Sequence, residues 1–204
     1  MHKASISVSR SVFSVALLVS TMSPIEPVQA SGNLNVLLGF KSMEKTDWEP
    51  VEVQAEAGFL LDFRDNSWPI SIALDFLGSY NEEVGTIFVP GTGPVTAEWE
   101  GTTSEFNGGV RKYWGKDSVM RPYLGGGLAF IGASLEAKTG RFDYVRDTDY
   151  GVGLWLNGGI LWTLSKHFNI GFDVRVSAAD VTVFDQTRKA GGFHSGLILG
   201  YHWE

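Results

Sequence analysis

Residues 51–63 have the sequence VEVQAEAGFLLDF, in which every odd-numbered position is apolar. The even positions include three acids, Glu52, Glu56 and Asp62. A two-residue repeat is typical of a β-strand with one apolar and one polar face, because successive side chains of a strand point to opposite faces. The usual strand has about 5–6 residues. The stretch therefore predicts an unusually long strand with acids on its polar face.

The same alternation recurs along the chain and predicts eight strands. They cover residues 33–41, 51–63, 69–80, 99–114, 122–135, 151–164, 169–178 and 192–203. Their connections alternate in length. The short ones, at 64–68, 115–121 and 165–168, contain Asp, Asn, Ser or Gly, which favour tight turns. The long ones lie at 42–50, 81–98 and 136–150, with a modest one near 184–191. This layout predicts an all-β fold, an eight-stranded antiparallel up-and-down barrel.

The first thirty residues are predicted to be a cleaved signal peptide. Lys3 and Arg10 give a positive start, residues 12–19 are apolar, and Val28-Gln29-Ala30 has the small-x-small pattern of a cleavage site. The apolar run is shorter than the roughly 20 residues of a membrane helix. We therefore predict a signal peptide at 1–30, export, and a single barrel domain at 31–204.

The charge of the chain argues against a nucleic-acid partner. The chain holds 16 basic and 23 acidic residues; the predicted signal contains Lys3, Arg10 and Glu26, so 14 and 22 remain, a net charge of −8. No basic cluster interrupts this acidic background, whereas nucleic-acid binding proteins usually carry one. The chain has no cysteine, so disulfides do not hold the fold.

Alternation alone does not tell which face of the strands points outward. A soluble lipocalin-like barrel would place the apolar face inside, around a ligand, whereas a membrane barrel places it outside. The polar faces are rich in small residues, which suit the crowded interior of eight strands. Thirteen residues at ~3.3 Å each, tilted by roughly 40°, cover about 33 Å along the barrel axis, enough for an apolar band ~25 Å tall. Both features favour the apolar-out arrangement.

The aromatic residues favour the same arrangement, because they sort to the two ends of the predicted barrel as membrane-interface belts do. Those predicted at the short-turn end are Phe63, Trp68, Trp114, Tyr123, Trp162, Phe168, Tyr201 and Trp203. Those predicted toward the long-loop end are Phe40, Trp48, Tyr80, Trp99, Phe142 and Tyr144. We therefore predict a transmembrane β-barrel in the bacterial outer membrane.

Two segments carry a resemblance to a known family. RPYLGGGLAF at 121–130 and the final strand GLILGYHW resemble the small eight-stranded outer-membrane barrels, which include the outer-membrane protein A-type domains and the opacity-family proteins. The resemblance implies contact with outer-membrane lipid and lipopolysaccharide, and a C-terminal signal for the barrel-assembly machinery. Glu204 follows the final aromatic residue, where the family usually ends in Phe. The residues that match the signal are Leu197, Leu199, Tyr201 and Trp203.

The polar faces predict a charged cluster inside the barrel. Because buried charges must be paired, Arg111 and Arg175 are expected to neutralise several carboxylates. Since the acids outnumber these arginines, we expect protonated carboxyls, water or a bound cation as well. The cluster is either a structural core or a gate for a narrow ion path. Its predicted members are Glu52, Glu56, Asp62, Asp75, Glu105, Arg111, Asp173 and Arg175.

No catalytic residue, metal site or cofactor is predicted. His194 and His202 share the inner face of the last strand, eight residues apart, which is too far for one metal. Adjacent His194 and Ser195 invite comparison with lipid A-modifying barrel enzymes, but neighbouring strand residues point to opposite faces. Asp147 and Asp149 are a weak hint of a cation site, or simply solvated acids.

The expected function is non-enzymatic. We expect a monomer that serves envelope integrity or surface interaction such as adhesion, with at most minor porin-like permeation. The loops 42–50, 81–98 and 136–150 are the places where a surface ligand could bind. Residues 81–97 are either an extension of the third and fourth strands above the membrane or an adhesive tip. A soluble periplasmic ligand-binding barrel and a lipid A-modifying enzyme remain the alternatives.

Overall fold

The computed structural model describes residues 30–65, 67–89, 91, 93–115, 118–139, 142–164 and 167–203. Residues 1–29 of the predicted signal peptide therefore lie outside the described residues, whereas Ala30 begins the first strand. Within these ranges, one short helix, α1 (Lys45–Trp48), accompanies ten strands. They are β1 (Ala30–Ser42), β2 (Val53–Asp65), β3 (Ser71–Val89), β4 (Gly93–Tyr113), β5 (Met120–Thr139), β6 (Phe142–Leu164), β7 (Phe168–Ala178), β8 (Asp180–Val183), β9 (Gln186–Lys189) and β10 (Gly192–Trp203).

Eight of these strands form a closed antiparallel barrel. Each of β1 to β6 pairs with the next strand of the chain, and β7 pairs with β10. The barrel closes between the first and the last strand, from Gly32 opposite Trp203 to Ser42 opposite Phe193. The predicted eight-stranded antiparallel fold is therefore confirmed. Strands β8 and β9 form a separate two-stranded hairpin. No helix among the described residues is long and apolar enough to span a bilayer.

The burial of successive residues follows the predicted alternation. Along β7, exposed and buried residues alternate from Phe168 to Ala178 without a break. The exposed side chains are apolar, for example Phe172 and Val174, whereas the buried ones include Asp173 and Arg175. A sheet with its charges inside and its apolar side chains outside is the arrangement of a barrel surrounded by lipid. Water-facing barrels have the reverse arrangement.

The two ends of the barrel differ in how the strands are connected. The turn end carries the short connections near 66–70, 114–119 and 165–167, together with Ala30 and Trp203. The opposite end, called the cap end, carries α1, the β3–β4 and β5–β6 hairpins, and the β8–β9 hairpin. Strands β3 to β6 are longer than the other four, so their hairpins continue beyond the barrel at the cap end.

The long connections expected at 81–98 and 136–150 are formed by paired strands, and for 81–97 this agrees with the predicted alternative of an extension of the third and fourth strands. Strands β3 and β4 remain paired as far as Val89 opposite Gly93. Strands β5 and β6 remain paired to Thr139 opposite Phe142, with one irregularity near Ala137. Cross-strand pairing sustains these extensions, although glycine, proline and threonine break the local apolar alternation. The segment 42–50 is a compact connection that includes α1, and the expected loop at 184–191 contains β9.

Several residues of the predicted aromatic belts and apolar face lie elsewhere. Tyr123 points into the barrel, and Trp48 and Val51 are fully buried at the cap end. Trp99 packs against the same buried cluster as Trp48. The side chains of Phe142 and Tyr144 lie outside the part of the chain that the structure describes. Trp48 and Val51 belong to a buried connection and not to a strand end. The sequence does not distinguish the two, because both kinds of site carry apolar residues.

Glycine allows the strands to curve tightly inside the barrel. A Cβ atom on Gly109 would clash with the backbone carbonyl of Gly126, and one on Gly127 with that of Gly108. Gly108, which faces outward, has open space where its Cβ would be. Glycine is thus required on the inner face here and not on the outer one, which fits the crowded interior expected of eight strands.

Candidate functional site: the polar lumen and its cap

A charged cluster fills the middle of the barrel. Asp75 Oδ2 accepts a hydrogen bond from Arg111 Nη2 at 2.7 Å and another from Arg175 Nη2 at 2.5 Å. Arg111 Nη1 also reaches Asp62 Oδ2 at 3.3 Å, and Arg175 Nε lies 3.7 Å from Asp173 Oδ1. All five side chains are at most 1 % exposed. Asp75 therefore bridges two guanidinium groups that come from opposite parts of the wall.

Aromatic side chains surround this middle cluster. Tyr113 donates its hydroxyl to Asp62 at 2.6 Å, and Tyr123 donates to Asp173 at 2.5 Å. The indole of Trp155 stacks with both arginines, with ring-centre distances of 5.9 Å to Arg111 Cζ and 5.0 Å to Arg175 Cζ. Hydrogen bonds and cation–π contacts compensate part of the cost of burying charge. The cluster is therefore held rigidly from several strands.

A second cluster lies one layer nearer the cap end. Lys41 Nζ donates to Glu105 Oε1 at 2.7 Å, and to the hydroxyl of Thr103 at 3.0 Å. His194 Nδ1 lies 2.8 Å from Glu56 Oε1, and its Nε2 lies 2.9 Å from the Ser177 hydroxyl. Glu105 Oε1 is also 3.1 Å from that hydroxyl. The layer is a continuous chain of hydrogen bonds from Glu56 to Lys41.

A third, mostly neutral layer lies near the turn end. Asn169 donates to the side-chain oxygens of Asn33 and Asn35, at 2.9 and 3.0 Å. Arg121 Nη2 donates to Asn33 and Asn169, at 3.0 and 3.2 Å. His202 Nδ1 lies 2.9 Å from the carbonyl oxygen of Gly32. Together the three layers fill the lumen from the turn end to the cap.

The predicted cluster members divide among these layers. Asp62, Asp75, Arg111, Asp173 and Arg175 form the middle layer, while Glu56 and Glu105 belong to the layer above it. Glu52 instead precedes β2 and lies half-buried beneath the cap. It belongs to a connection, so the strand alternation that predicted an inward position does not extend to it.

Sequence analysis missed two cations of the lumen, Lys41 and Arg121. Both are buried. Lys41 is the last residue of the predicted strand 33–41, and Arg121 lies one residue before the predicted strand 122–135. With them, the three layers hold four permanent cations against five carboxylates. His194, between Glu56 and Glu105, is placed to supply a fifth positive charge when protonated. The expected excess of acid is therefore much smaller than the sequence suggested.

The cap is an apolar plug over the polar layers. Trp48 of α1 is fully buried, and its indole donates to the carbonyl of Lys189 at 2.7 Å. Around it packs a cluster that reaches from α1 to the β8–β9 hairpin. Its buried members at this end include Met43, Val51, Leu135, Val181 and Val183. The plug leaves the polar lumen covered at the cap end.

Acidic side chains attach the β8–β9 hairpin to its neighbours. Asp149 Oδ2 accepts the backbone N–H of Thr182, and Asp147 Oδ2 accepts that of Phe184, both at 2.6 Å. Asp47 Oδ2 accepts the N–H of Lys189 at 2.9 Å. The backbone N–H of Thr182, with that of Tyr150, lowers the pKa of the Asp149 carboxyl below its usual value. The carboxylates of Asp147 and Asp149 thus accept hydrogen bonds from backbone amides of the protein. Their positions are explained by these bonds and require no bound cation.

Two features of the described lumen residues bear on metal binding and on catalysis. No cluster of three His, Asp or Glu side chains in the described part of the chain is arranged to hold a metal ion. Ser177, His194 and Glu56 have the connectivity of a serine–histidine–acid relay. The Ser177 hydroxyl, however, is enclosed with Glu105 and Lys41 beneath the cap. His194 contacts Ser177 rather than its neighbour Ser195.

The residues of the predicted assembly signal lie on the outer wall of β10. Leu197, Leu199 and Tyr201 are exposed, and Trp203 is half-buried against Gly32. The buried residues between them include Ile198 and His202. The final strand thus presents a row of apolar side chains that ends in aromatic residues.

Comparison with known proteins relates the chain to others by structure. Neither a protein-family model nor a curated protein sequence matches it. The structure of Ail, the attachment invasion locus protein of Yersinia pestis, in complex with the heparin analogue sucrose octasulfate, is similar with a TM-score of 0.60. The two chains are 8% identical, and the match covers 86% of this chain and 99% of Ail.

A second similar structure is the outer membrane protein OprG from Pseudomonas aeruginosa. Its TM-score is 0.50 at 12% identity, with 86% of this chain and 94% of OprG covered. At these identities the likeness concerns the fold. The chain therefore has the fold of the small eight-stranded outer-membrane β-barrels.

Proposed function

We propose that the chain is an integral β-barrel of the bacterial outer membrane, exported by a cleaved signal peptide, and that it works through its surface at the cap end. The observation that carries this proposal is the inverted barrel wall: the outward side chains of the eight strands are apolar, while Asp, Glu, Arg and Lys are enclosed. Lipid solvates such an outer face, whereas water does not.

The alternative of a soluble ligand-binding barrel has less support. Its cavity would have to be apolar to hold a lipophilic ligand. The lumen instead holds five carboxylates and four cations, and Trp48 and its neighbours cover it. In water, the exposed wall would form an apolar patch far larger than the few hundred Å² that monomeric soluble proteins usually expose.

We also propose that the lumen is a structural core rather than a conducting path. Asp75, Arg111 and Arg175 cross the barrel at mid-height, and the apolar cap lies above them. The gate remains the competing proposal, and planar-bilayer conductance tests it. We expect no channel activity from the native protein. Conductance that appears in the native protein and changes in Arg175→Ala would favour the gate.

The proposed role is non-enzymatic. The relay formed by Ser177, His194 and Glu56 ends in a hydroxyl that also contacts Glu105, and the Ser177 side chain is buried. Mass spectrometry of lipid A from cells with and without the protein tests this proposal. Identical lipid A profiles are expected, and the loss of an acyl chain only in cells that hold the protein would overturn it.

The proposed partners follow from the membrane position. Outer-membrane lipid and lipopolysaccharide surround the wall, the barrel-assembly machinery recognises Leu197, Leu199, Tyr201 and Trp203, and a surface ligand binds at the cap end. The barrel is proposed to be a monomer, because its strands close on themselves. A deletion strain tested for adhesion and for envelope stress would distinguish a surface-interaction role from a role in envelope integrity.

Insertion into bilayers tests the proposal as a whole. The purified protein is refolded with phospholipid vesicles and examined by gel electrophoresis with and without heating. We expect faster migration of the unheated form, extraction only by detergent, and protection of the strands from added protease. A protein that stays in the aqueous fraction, folded and without vesicles, would overturn it.

A further inference from the structure

One strand edge at the cap end has no partner strand. Strand β3 pairs with β2 only as far as Tyr80 opposite Ala55. Its other side continues to pair with β4 as far as Val89. Residues 81–89 therefore have a neighbouring strand on one side only. Apart from the strand pairings, no backbone–backbone hydrogen bond among the described residues reaches this segment.

The direction of the free backbone groups follows from Glu82. Its N–H donates to the side-chain Oδ1 of Asn81 at 2.9 Å instead of taking part in the pairing with β4. Because backbone groups of a strand alternate in direction, the even-numbered residues direct theirs to the free edge. The side chains of Val84 and Phe88 are 66% and 76% exposed. The edge is thus open both along its backbone and on its outer face.

Other strand edges at the cap end are protected, and this one is not. The free part of β4 is short and carries Pro94, which cannot donate a hydrogen bond. Beyond its pairing with β7, β6 has the β8–β9 hairpin against it, attached through Asp147 and Asp149. Residues 84–89 of β3 hold no proline and no charge. Proteins usually protect a long apolar strand edge with charged residues, proline or a covering element, because an open edge pairs with other strands.

The surroundings of the edge are acidic. Glu82 and Glu83 lie on β3 itself, and Glu98 and Glu100 lie on the adjacent strand. Glu82 stands directly opposite Glu100, an arrangement of like charges that destabilises a strand pair unless a cation intervenes. Lys138 lies 3.6 Å from Glu100 and 2.7 Å from Glu136, so this cation is shared with a further acid.

From these features we propose that residues 81–89 bind an extended, basic segment of a partner protein by strand addition. The backbone of the segment pairs with the free edge, its lysines or arginines lie near the four glutamates, and its apolar residues contact Val84 and Phe88. Main-chain pairing supplies affinity in such complexes, and the side chains supply specificity. This inference rests on the proposed function, in that the cap end must face the cell exterior.

A second copy of the chain is a poorer occupant of the edge. Two barrels in one membrane have β3 strands that run in the same direction, so their edges cannot pair antiparallel. Pairing would also bring two sets of Glu82, Glu83, Glu98 and Glu100 together, and like charges at an interface are unfavourable. Charge complementarity therefore favours a basic partner.

The test uses the full chain in non-ionic detergent micelles and a fluorescent peptide as long as the edge, whose outward residues are lysine where they meet Glu82 and valine where they meet Val84 and Phe88. Two control peptides replace lysine by glutamate or carry methylated backbone amides. We expect anisotropy to report binding of the lysine peptide only. Amide hydrogen exchange at Glu82, Val84 and Thr86 should slow when it binds. Equal binding of the methylated peptide, or unchanged exchange, would overturn strand addition.

Two matched variants locate the site. Thr86 and Thr96 are opposite one another, and their backbone groups face the two different sides of the β3–β4 hairpin. Thr86→Pro removes an N–H from the proposed edge, and we expect about tenfold weaker peptide binding. Thr96→Pro makes the same change on the other side and should bind as the native protein does. The proposal would be contradicted if both variants bound the peptide equally weakly, or if neither bound it more weakly than the native protein. In either case the variants must still show native heat-modifiable migration on a gel.

The proposed function and the proposal of strand addition can be refuted independently of each other. Vesicle insertion is measured without the peptide, and peptide binding is measured without a bilayer. A protein that inserts but ignores the lysine peptide would retain the proposed function and lose this inference. Dimerisation in micelles that Thr86→Pro abolishes would assign the edge to a second copy and overturn the basic partner.

Discussion

The barrel wall and the sheet that extends above it are built from the same strands. They differ in how their backbone hydrogen bonds are satisfied and in where their charged side chains lie. Within the wall every strand has two neighbours, and Asp75 is shared by Arg111 and Arg175. Above it, β3 has a free edge with four glutamates around it, one of which lies 3.6 Å from Lys138. In hydrocarbon an unpaired backbone group costs several kcal/mol, whereas water satisfies it above the membrane. Only the upper part can leave an edge available to a partner.

Breaking the middle cluster should have the largest effect on stability. Asp75→Ala leaves two buried guanidinium groups without their shared acceptor, and we expect a loss of about 3–5 kcal/mol in the free energy of unfolding. Urea unfolding in vesicles measures it. Glu98→Ala, on the exposed hairpin, is the control and should change the value by less than about 0.5 kcal/mol. Similar values for the two variants would mean that the lumen charges contribute no more than surface charges do.

Removing the centre of the cap should affect the upper part of the molecule and leave the wall intact. Trp48→Ala creates a cavity at a fully buried site, which typically costs about 3–5 kcal/mol. We expect the amides of β8 and β9 to exchange much faster, while those of β7 stay protected. The matched variant is Trp68→Ala, at an exposed position of the turn end. Faster exchange throughout the barrel would contradict an independent cap.

Two adjacent glycines of β4 allow the inner face of the wall to be compared with the outer face. Gly109→Ala places a methyl group against the carbonyl of Gly126 and should destabilise the barrel by about 1–3 kcal/mol. Gly108→Ala places it in open space on the outer wall and should be neutral or slightly stabilising. The measurement is the urea concentration at which half of each variant is unfolded. Equal destabilisation would show that the inner face is not specially crowded.

The smallest expected effect is the pH dependence of the cap. Hydrogen bonding lowers the pKa of Asp149, so its anchoring contribution is present above its unfolded pKa and is lost as the pH falls through its lower folded value. The unfolded value is about 3.9. We therefore expect the Thr182 amide to exchange faster, relative to its intrinsic rate, below about pH 4. Asp149→Asn should remove this dependence, and an unchanged profile in the variant would assign it to another group.

The wall could be predicted from the sequence because one physical constraint acts on every residue of it. In β7, each residue from Phe168 to Ala178 faces either lipid or a crowded polar lumen, so polarity alternates without exception. The partition of Asp62, Asp75, Arg111, Asp173 and Arg175 to the inside follows from the same rule. Lys41 and Arg121 were missed because Lys41 is the last residue of its predicted strand and Arg121 lies one residue before the start of its own.

The upper part could not be predicted in the same way. Residues 81–89 and 93–98 are held as strands by pairing with each other. Water on the outer face permits a mixture of polar and apolar residues there, as with Glu82, Val84 and Phe88. The β8–β9 hairpin turns through Phe184 and Asp185, both with positive φ, although neither is the glycine that signals such a turn. Trp48 and Val51 were assigned to the lipid face, because a buried plug and a lipid-facing strand favour the same residue types.

The claim that the apolar wall meets lipid has a direct test, since the chain contains no cysteine. Single cysteines at Phe172 and Leu199, and at Glu98 as the aqueous reference, are spin-labelled in protein reconstituted into vesicles. We predict that labels at Phe172 and Leu199 collide with oxygen far more often than with a water-soluble nickel chelate, while the label at Glu98 shows the opposite preference. Nickel collisions at Phe172 and Leu199 as frequent as those at Glu98 would contradict a membrane barrel.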